Sequence, residues 1–286
     1  MMAGHMPVDK TYKLFIGGAF PRSESGRTFQ VRSADGGLLA NVSRASRKDL
    51  REAVRAARSA QAGWSSRTAY NRGQILYRVA EVMESRRAEF AAALRNTGRP
   101  ARSARREVDA SIDRWVWYAG WADKVHHVLG SVNPVAGPYF NFTVPEPTGV
   151  VVIAAPDEPP LMGLLSRLAP AIVSGNTAIV LTGGAASLVA VSLAEVLATS
   201  DVPAGVVNVL TCDKAEVLPW ALSHLDVNLV DLTGAPDDLG DEVVAGAAEN
   251  VKRIVGGREG SDPVEASPYV IGDFLEMKTI WHPIGR

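Results

Sequence analysis

The sequence predicts an α/β protein: a Rossmann-like parallel sheet flanked by helices, with a small antiparallel sheet attached. Three observations carry this. From Gly149 onward, short apolar runs alternate with helical stretches, the order that builds a parallel sheet. Those runs are apolar almost throughout, as in strands covered on both faces. The tail over residues 274–281 instead alternates apolar and polar positions, the two-residue period of a strand.

Taken in order, residues 12–20, with Gly17-Gly18 as the turn, and 28–42, around Asp35-Gly36-Gly37, carry strand and turn signals. Ser46 to Asp49 resembles a helix start, with Ser46 as the cap and Asp49 near the positive end of the dipole. Ala53, Ala57 and Ala60 give that helix a small apolar stripe. Longer helices are expected over 68–96 and 104–124, divided by the breaker Gly98-Arg99-Pro100. In the second, Trp115, Tyr118 and Trp121 fall at helical spacing with Trp117 beside them, and core packing is favoured over an aromatic binding face. Strands follow at 150–154, 177–181, 206–210, 229–232 and 253–255. Helices lie between them near 161–173, 188–198, 217–222 and 239–249. Residues 256–263 form a loop, and the terminal strand needs a partner edge.

With 286 residues and 47% hydrophobic content, the chain suits one large domain with an extension. Thirty basic against thirty-one acidic residues leave a formal net charge of -1, which gives no electrostatic case for nucleic acid or a membrane surface. The single cysteine, Cys212, can form neither an internal disulfide nor a cysteine metal cluster, which fits a reducing compartment; the cytoplasm is the expected location. No stretch approaches the ~18 apolar residues of a membrane span, and no internal repeat is present.

Several segments, read in order, resemble the aldehyde dehydrogenase superfamily. They are Leu14-Phe15-Ile16-Gly17-Gly18, the helix ending Ala62-Gly63-Trp64, Glu146-Pro147-Thr148-Gly149-Val150-Val151, Leu168-Ala169-Pro170-Ala171, Ser174-Gly175-Asn176-Thr177 and Pro203-Ala204-Gly205-Val206-Val207-Asn208-Val209. The ending Lys278-Thr279-Ile280-Trp281-His282-Pro283-Ile284-Gly285 resembles the family's C-terminal strand, which joins a hairpin to make an oligomerising sheet. The resemblance implies a cofactor-domain-like unit over 7–124 and 149–260, and a bridging sheet over 125–148 and 268–286. It also implies that the catalytic domain, expected between about 255 and 269, is missing, as in the truncated second module of class-sixteen aldehyde dehydrogenases.

The same resemblance implies lost chemistry. The family attacks its aldehyde with a cysteine thiolate beside an oxyanion hole. Cys212 follows a cofactor-domain strand and does not match that nucleophile, and Arg258-Glu259-Gly260 is a poor substitute for the general-base motif. Where the family places its oxyanion asparagine, this chain has Asp157 and Glu158, read as solvated loop charges. Leu181 and Gly184 stand where the family places a lysine and a glutamate for the adenosine ribose. Ala235 replaces the serine of the pyrophosphate motif, and Asp237, Asp238, Asp241 and Glu242 crowd the helix start that follows, where they would repel phosphate. No cofactor is therefore expected, NAD(P) being the family's. No metal set is seen: His224 fits a structural turn, and His126, His127 and His282 lie near expected strand ends. The expectation is a non-catalytic subunit that pairs with itself or with a catalytic aldehyde dehydrogenase, with Lys278, Ile280, Trp281 and His282 as interface candidates. Two alternatives stand beside it. One is a residual NAD(P)-dependent oxidoreductase using Cys212 or Glu158; the other is a nucleotide or metabolite sensor at the sheet's mouth, with Arg258 and Lys252 as its cations.

Overall fold

The computed structural model describes residues 10–237, 239–241, 245–256 and 266–285. Its first strands, β1 (Thr28–Arg32) and β2 (Leu38–Ser43), form the expected hairpin. Ahead of them Gly17 and Gly18, both at positive φ, turn the chain so that Ile16 pairs Ala19. Phe15 and Val209 exchange backbone hydrogen bonds of 2.9 and 2.7 Å, so this segment covers an edge of the main sheet.

Helix α1 (Arg47–Ser65) starts at a capping box: the Ser46 hydroxyl accepts from Lys48 and Asp49, and Asp49 accepts from the Ser46 backbone. The helix expected over 68–96 is two, α2 (Ala69–Ser85) and α3 (Arg87–Asn96), hinged at Arg86. No glycine or proline marks the break. Arg86 is held instead by long-range contact, its guanidinium bonding Glu89 and, at 2.5 Å, Glu195. Helix α4 (Ala101–Trp121) follows Pro100, and Trp115 and Tyr118 are completely buried in it, with Trp117 and Trp121 packed behind. The expected 125–148 hairpin begins late. Its first residues form a short helix, α5 (Val125–Leu129), because Val125 is drawn into the core; His126 and His127 are therefore helical. Only β3 (Ser131–Asn133) and β4 (Tyr139–Pro147) make the hairpin.

The parallel sheet then assembles from β5 (Val150–Ala154), β6 (Thr177–Thr182), β7 (Val207–Thr211), β8 (Leu229–Asp231) and β9 (Arg253–Val255), in the order β7-β6-β5-β8-β9. Between them run α6 (Pro160–Val173), α7 (Ala186–Ala198) and α8 (Lys214–Ser223). Both faces are buried, and alternate residues show it. Val151, Ile153 and Val180 meet α2, α4, α6 and α7, whereas Val150, Val152 and Ile179 meet α1 and α8. Of the helix expected over 239–249, residues 242–244 lie outside the description, and the described end is a 3-10 turn at Ala248–Asn250.

After α9 (Pro268–Gly272), β10 (Leu275–Pro283) pairs antiparallel with β4, and the small sheet runs β10-β4-β3. Asn176 joins this sheet to the large one. Its carbonyl accepts Gly149 N at 2.7 Å, and its amide donates to Ala171 O, Ser174 Oγ and Phe274 O at 3.2, 2.7 and 2.7 Å. Arg167, buried in α6, adds a second tie, reaching Asp231 at 2.5 Å and Asp273 at 3.3 Å with its guanidinium over the Phe274 ring. Among the described residues no helix is long and apolar enough to cross a membrane.

Replacing Asn176 with alanine leaves Gly149 N buried without a partner and Phe274 O with only the 3.4 Å bond from Thr148 N. Urea denaturation is expected to show a loss of about 2 kcal/mol, from the cost of a stranded buried polar group.

Candidate functional site

Open parallel sheets bind ligands beyond their carboxyl ends, at the point where strand order reverses. Here that point lies between β5 and β8, and it is shut. Gly234, in the turn after β8, donates to Ala154 O at 2.9 Å. A Cβ on Gly234 would lie 2.3 Å from the Ala155 carbonyl, so only glycine permits the approach. Lys214, in the first turn of α8 and 8% exposed, reaches across the closure. Its ammonium donates to Ala155 O at 2.9 Å, Gly234 O at 2.7 Å and Asp157 Oδ2 at 2.8 Å. The sequence reading missed Lys214. A cation beside the N-cap Asp213, at the positive end of a helix, was the available signal, since it requires an acceptor elsewhere.

The first helix start beyond β5 is also taken. Glu107 of α4 is buried, and its Oε1 accepts from Leu161 N at 2.9 Å and Met162 N at 3.3 Å, filling the amino end of α6 with a carboxylate. Arg99 holds Glu107 at 3.1 Å and also contacts Glu158. Asp157 and Glu158 are thus solvent-facing charges, as expected, but each has a basic partner: Lys214 for Asp157 and Arg99 for Glu158.

Beside this closure, toward β6 and β7, lies a cleft of about 480 Å³ lined by Phe29, Arg44, Gly183, Gly184, Cys212 and Lys214 among others. Arg44 is bound to Asp213 at 3.2 Å and Glu216 at 2.9 Å, and Glu216 also holds Arg27, whose hydrogen bond lowers the Glu216 pKa. Both cations facing the cleft therefore already hold carboxylates. Gly184 lies on its wall with open space in front, while Leu181 is wholly buried and packs beneath the sheet. Ala235 is half-buried against the same layer.

Cys212 is 3% exposed, and burial pushes its thiol up to about 12, against a smaller lowering by Lys214. Asp237 and Asp241 are exposed, whereas Asp238, Glu242, Arg258 and Glu259 lie outside the described residues. Lys252 does not serve the mouth, contrary to expectation. It precedes β9, at the opposite end of the sheet, because its ammonium is drawn to His224 O and Val227 O at 2.8 and 2.5 Å; burial lowers it to about 8. His224 ends α8 and accepts Asp226 N at 3.1 Å, and burial lowers its pKa. Among the described residues no group of three or more His, Cys, Asp or Glu could hold a metal.

The four interface candidates all lie on β10, on different faces. Lys278, Ile280 and His282 stand opposite Val144, Phe142 and Phe140. Trp281 points to the other face, 59% exposed, edge-on to Tyr139 at 5.8 Å.

The aldehyde dehydrogenase family model matches residues 20–265. Omega-crystallin of Enteroctopus dofleini is 32% identical over 285 residues, covering 96% of this chain and 56% of that protein. Retinal dehydrogenase 2 of Gallus gallus is 34% identical over 252 residues, covering 86% and 48%. The structure of the NAD+ complex of an aldehyde dehydrogenase from Bacillus cereus superposes with a TM-score of 0.78 at 26% identity, covering 86% of this chain and 50% of that one. The chain thus spans about half the length of the relatives it matches.

Two outcomes check this geometry. At pH 8 a thiol reagent is expected to leave Cys212 largely unmodified in the native chain and to titrate one thiol after unfolding in guanidinium. For Lys252, the unfolded chain binds the extra proton between about pH 8 and the ordinary lysine value near 10.5, so folding gains stability as pH rises through that window. The urea midpoint of the wild type, measured against Lys252→Met, is expected to shift in favour of the wild type between pH 7.5 and 10.

Proposed function

The chain belongs to the aldehyde dehydrogenase family, and we propose that it acts as a non-catalytic subunit, contributing an associating surface to itself or to a catalytic aldehyde dehydrogenase. One observation carries this reading: the crevice where such a sheet would seat a dinucleotide is spanned by Lys214 and by the Gly234 turn. A pyrophosphate entering there would displace a lysine from three oxygens and would then meet Asp157 and the carboxylate of Glu107. The residues present do not fit NAD(P).

The reacting group is lacking as well. A thiol with a pKa near 12 is protonated at neutral pH by a factor on the order of 10⁵. Only residues 256–267 separate β9 from α9, which supports the absence of an inserted catalytic domain at that point. The small sheet, by contrast, is well formed. It presents Val132, Phe140, Met277 and Trp281 to solvent and leaves β10 at its edge, and it is the surface through which we place subunit association, in the cytoplasm. The 480 Å³ cleft favours one second reading, a sensor for a small metabolite that enters beside Gly183 and Gly184.

The test is a calorimetric titration of the purified chain with NAD+ and NADH, with light scattering after size exclusion, alone and after co-expression with a catalytic family member. Absence of binding heat, together with a homo-oligomer or a mixed oligomer, is the expected outcome. Micromolar binding would reject the closed crevice and put a residual oxidoreductase first.

A further inference from the structure

The outer edge of β10 carries enough information to specify its partner. Hydrogen-bond parity comes first. Ile284 N donates to Pro138 O at 2.8 Å and Thr148 N to Phe274 O at 3.4 Å. Both bonds fall on the β10–β4 register, so the even-numbered residues of β10 direct their backbone groups at β4. Pro145 and Pro147, which have no N–H, stand opposite Met277 and Leu275, as that parity requires. The odd-numbered residues Met277, Thr279 and Trp281 therefore direct N–H and C=O away from β4, along an edge that pairs with no other strand among the described residues.

We infer that β10 pairs antiparallel with β10 of a second copy of this chain about a two-fold axis through Thr279, making one continuous sheet β3-β4-β10-β10-β4-β3. Odd residues then bond odd residues, as the outward groups demand. In this register Met277 meets Trp281 of the other copy, a sulfur–aromatic contact between side chains that are 49% and 59% exposed. Glu276 meets His282, a carboxylate against an imidazole, and the stem of Lys278 lies over Ile280.

Thr279 meets its own counterpart, and this extends an existing ladder. Asn133 donates to Thr143 Oγ1 at 2.9 Å, and Thr143 and Thr279 share a hydrogen bond of 2.9 Å, so the two copies would join hydroxyl to hydroxyl across the axis. At the strand ends Leu275 faces Pro283, which has no N–H to give; the Leu275 carbonyl is already bonded by the Arg253 guanidinium. Shifting the axis by one residue, to Lys278 or to Ile280, sets Lys278 against itself or against His282 and loses the Met277–Trp281 pair. The symmetric register overlaps the full strand without like charges.

This pairing rests on the proposed associating role, and its test separates the two. Thr279→Cys brings two sulfurs to the axis, where Cα atoms of a bonded pair lie about 5.5 Å apart, within disulfide range. Cys212 is buried and does not compete. Mild oxidation of the full chain is expected to convert most of the Thr279→Cys variant to a disulfide dimer and to leave Lys278→Cys uncrosslinked. Thr279→Pro removes an outward N–H and the hydroxyl shared with Thr143 but no backbone bond between β10 and β4, so it is expected to keep its circular dichroism and run as a monomer by light scattering. A dimer that survives Thr279→Pro and does not crosslink at 279 overturns this pairing while leaving association itself intact. A wild-type chain that stays monomeric at about 100 μM and does not crosslink overturns the pairing, and the associating role then rests on the co-expressed catalytic subunit alone.

Discussion

The molecule is organised around the amide of Asn176. Four groups from four places converge on it: the start of β5, the end of α6, the turn before β6, and the chain just ahead of β10. An asparagine offers one carbonyl oxygen and two N–H donors in a plane, one N–H being shared between two of the three acceptors, so holding all four groups fixes their relative orientation as well as their spacing. Both sheets are positioned from this joint. Arg167 reinforces it from inside α6, where a buried guanidinium is tolerated because Asp231 and Asp273 both accept from it. The edge of β10 is therefore presented from a fixed base.

The amino-terminal half serves the same end by filling space. Helices α2 and α4 close one face of the sheet around Trp115 and Tyr118, and α4 also delivers Glu107 to the start of α6. The carboxylate at that helix start and the ammonium at the switch point occupy the two places where a sheet of this kind offers its field to an anion. The fold and the closed crevice are thus linked through particular residues. The side chains that shut the crevice are anchored on the helices that build the core.

Much of the architecture was legible in the sequence because its signals are local. Continuous apolar runs marked β5 to β9, Ser46 and Asp49 marked the start of α1, and the alternation over 274–281 marked β10. What was not legible depends on partners distant in sequence. The break at Arg86 carries no glycine or proline and is made by Glu195 of another helix; α5 forms where a hairpin was expected because Val125 enters the core. At the candidate site, Leu181, Gly184 and Ala235 were read only against the family resemblance, which says nothing of the contacts made around them. The clasp of Lys214 was not legible because its oxygens lie beyond two other strand ends. Lys252 was misplaced for the same reason: proximity to β9 in sequence does not say which end of the strand a side chain serves.

The clasp of Lys214 has a thermodynamic consequence. In a protein whose cleft is closed by a bound molecule, the closed state is favoured in proportion to how much of that molecule is present. Here the closing cation is carried on the chain, so its effective concentration is set by the tether and does not vary with the supply of any metabolite. The two halves of the sheet are held together under starvation and plenty alike. The geometry at the base of β10 is thereby independent of that supply.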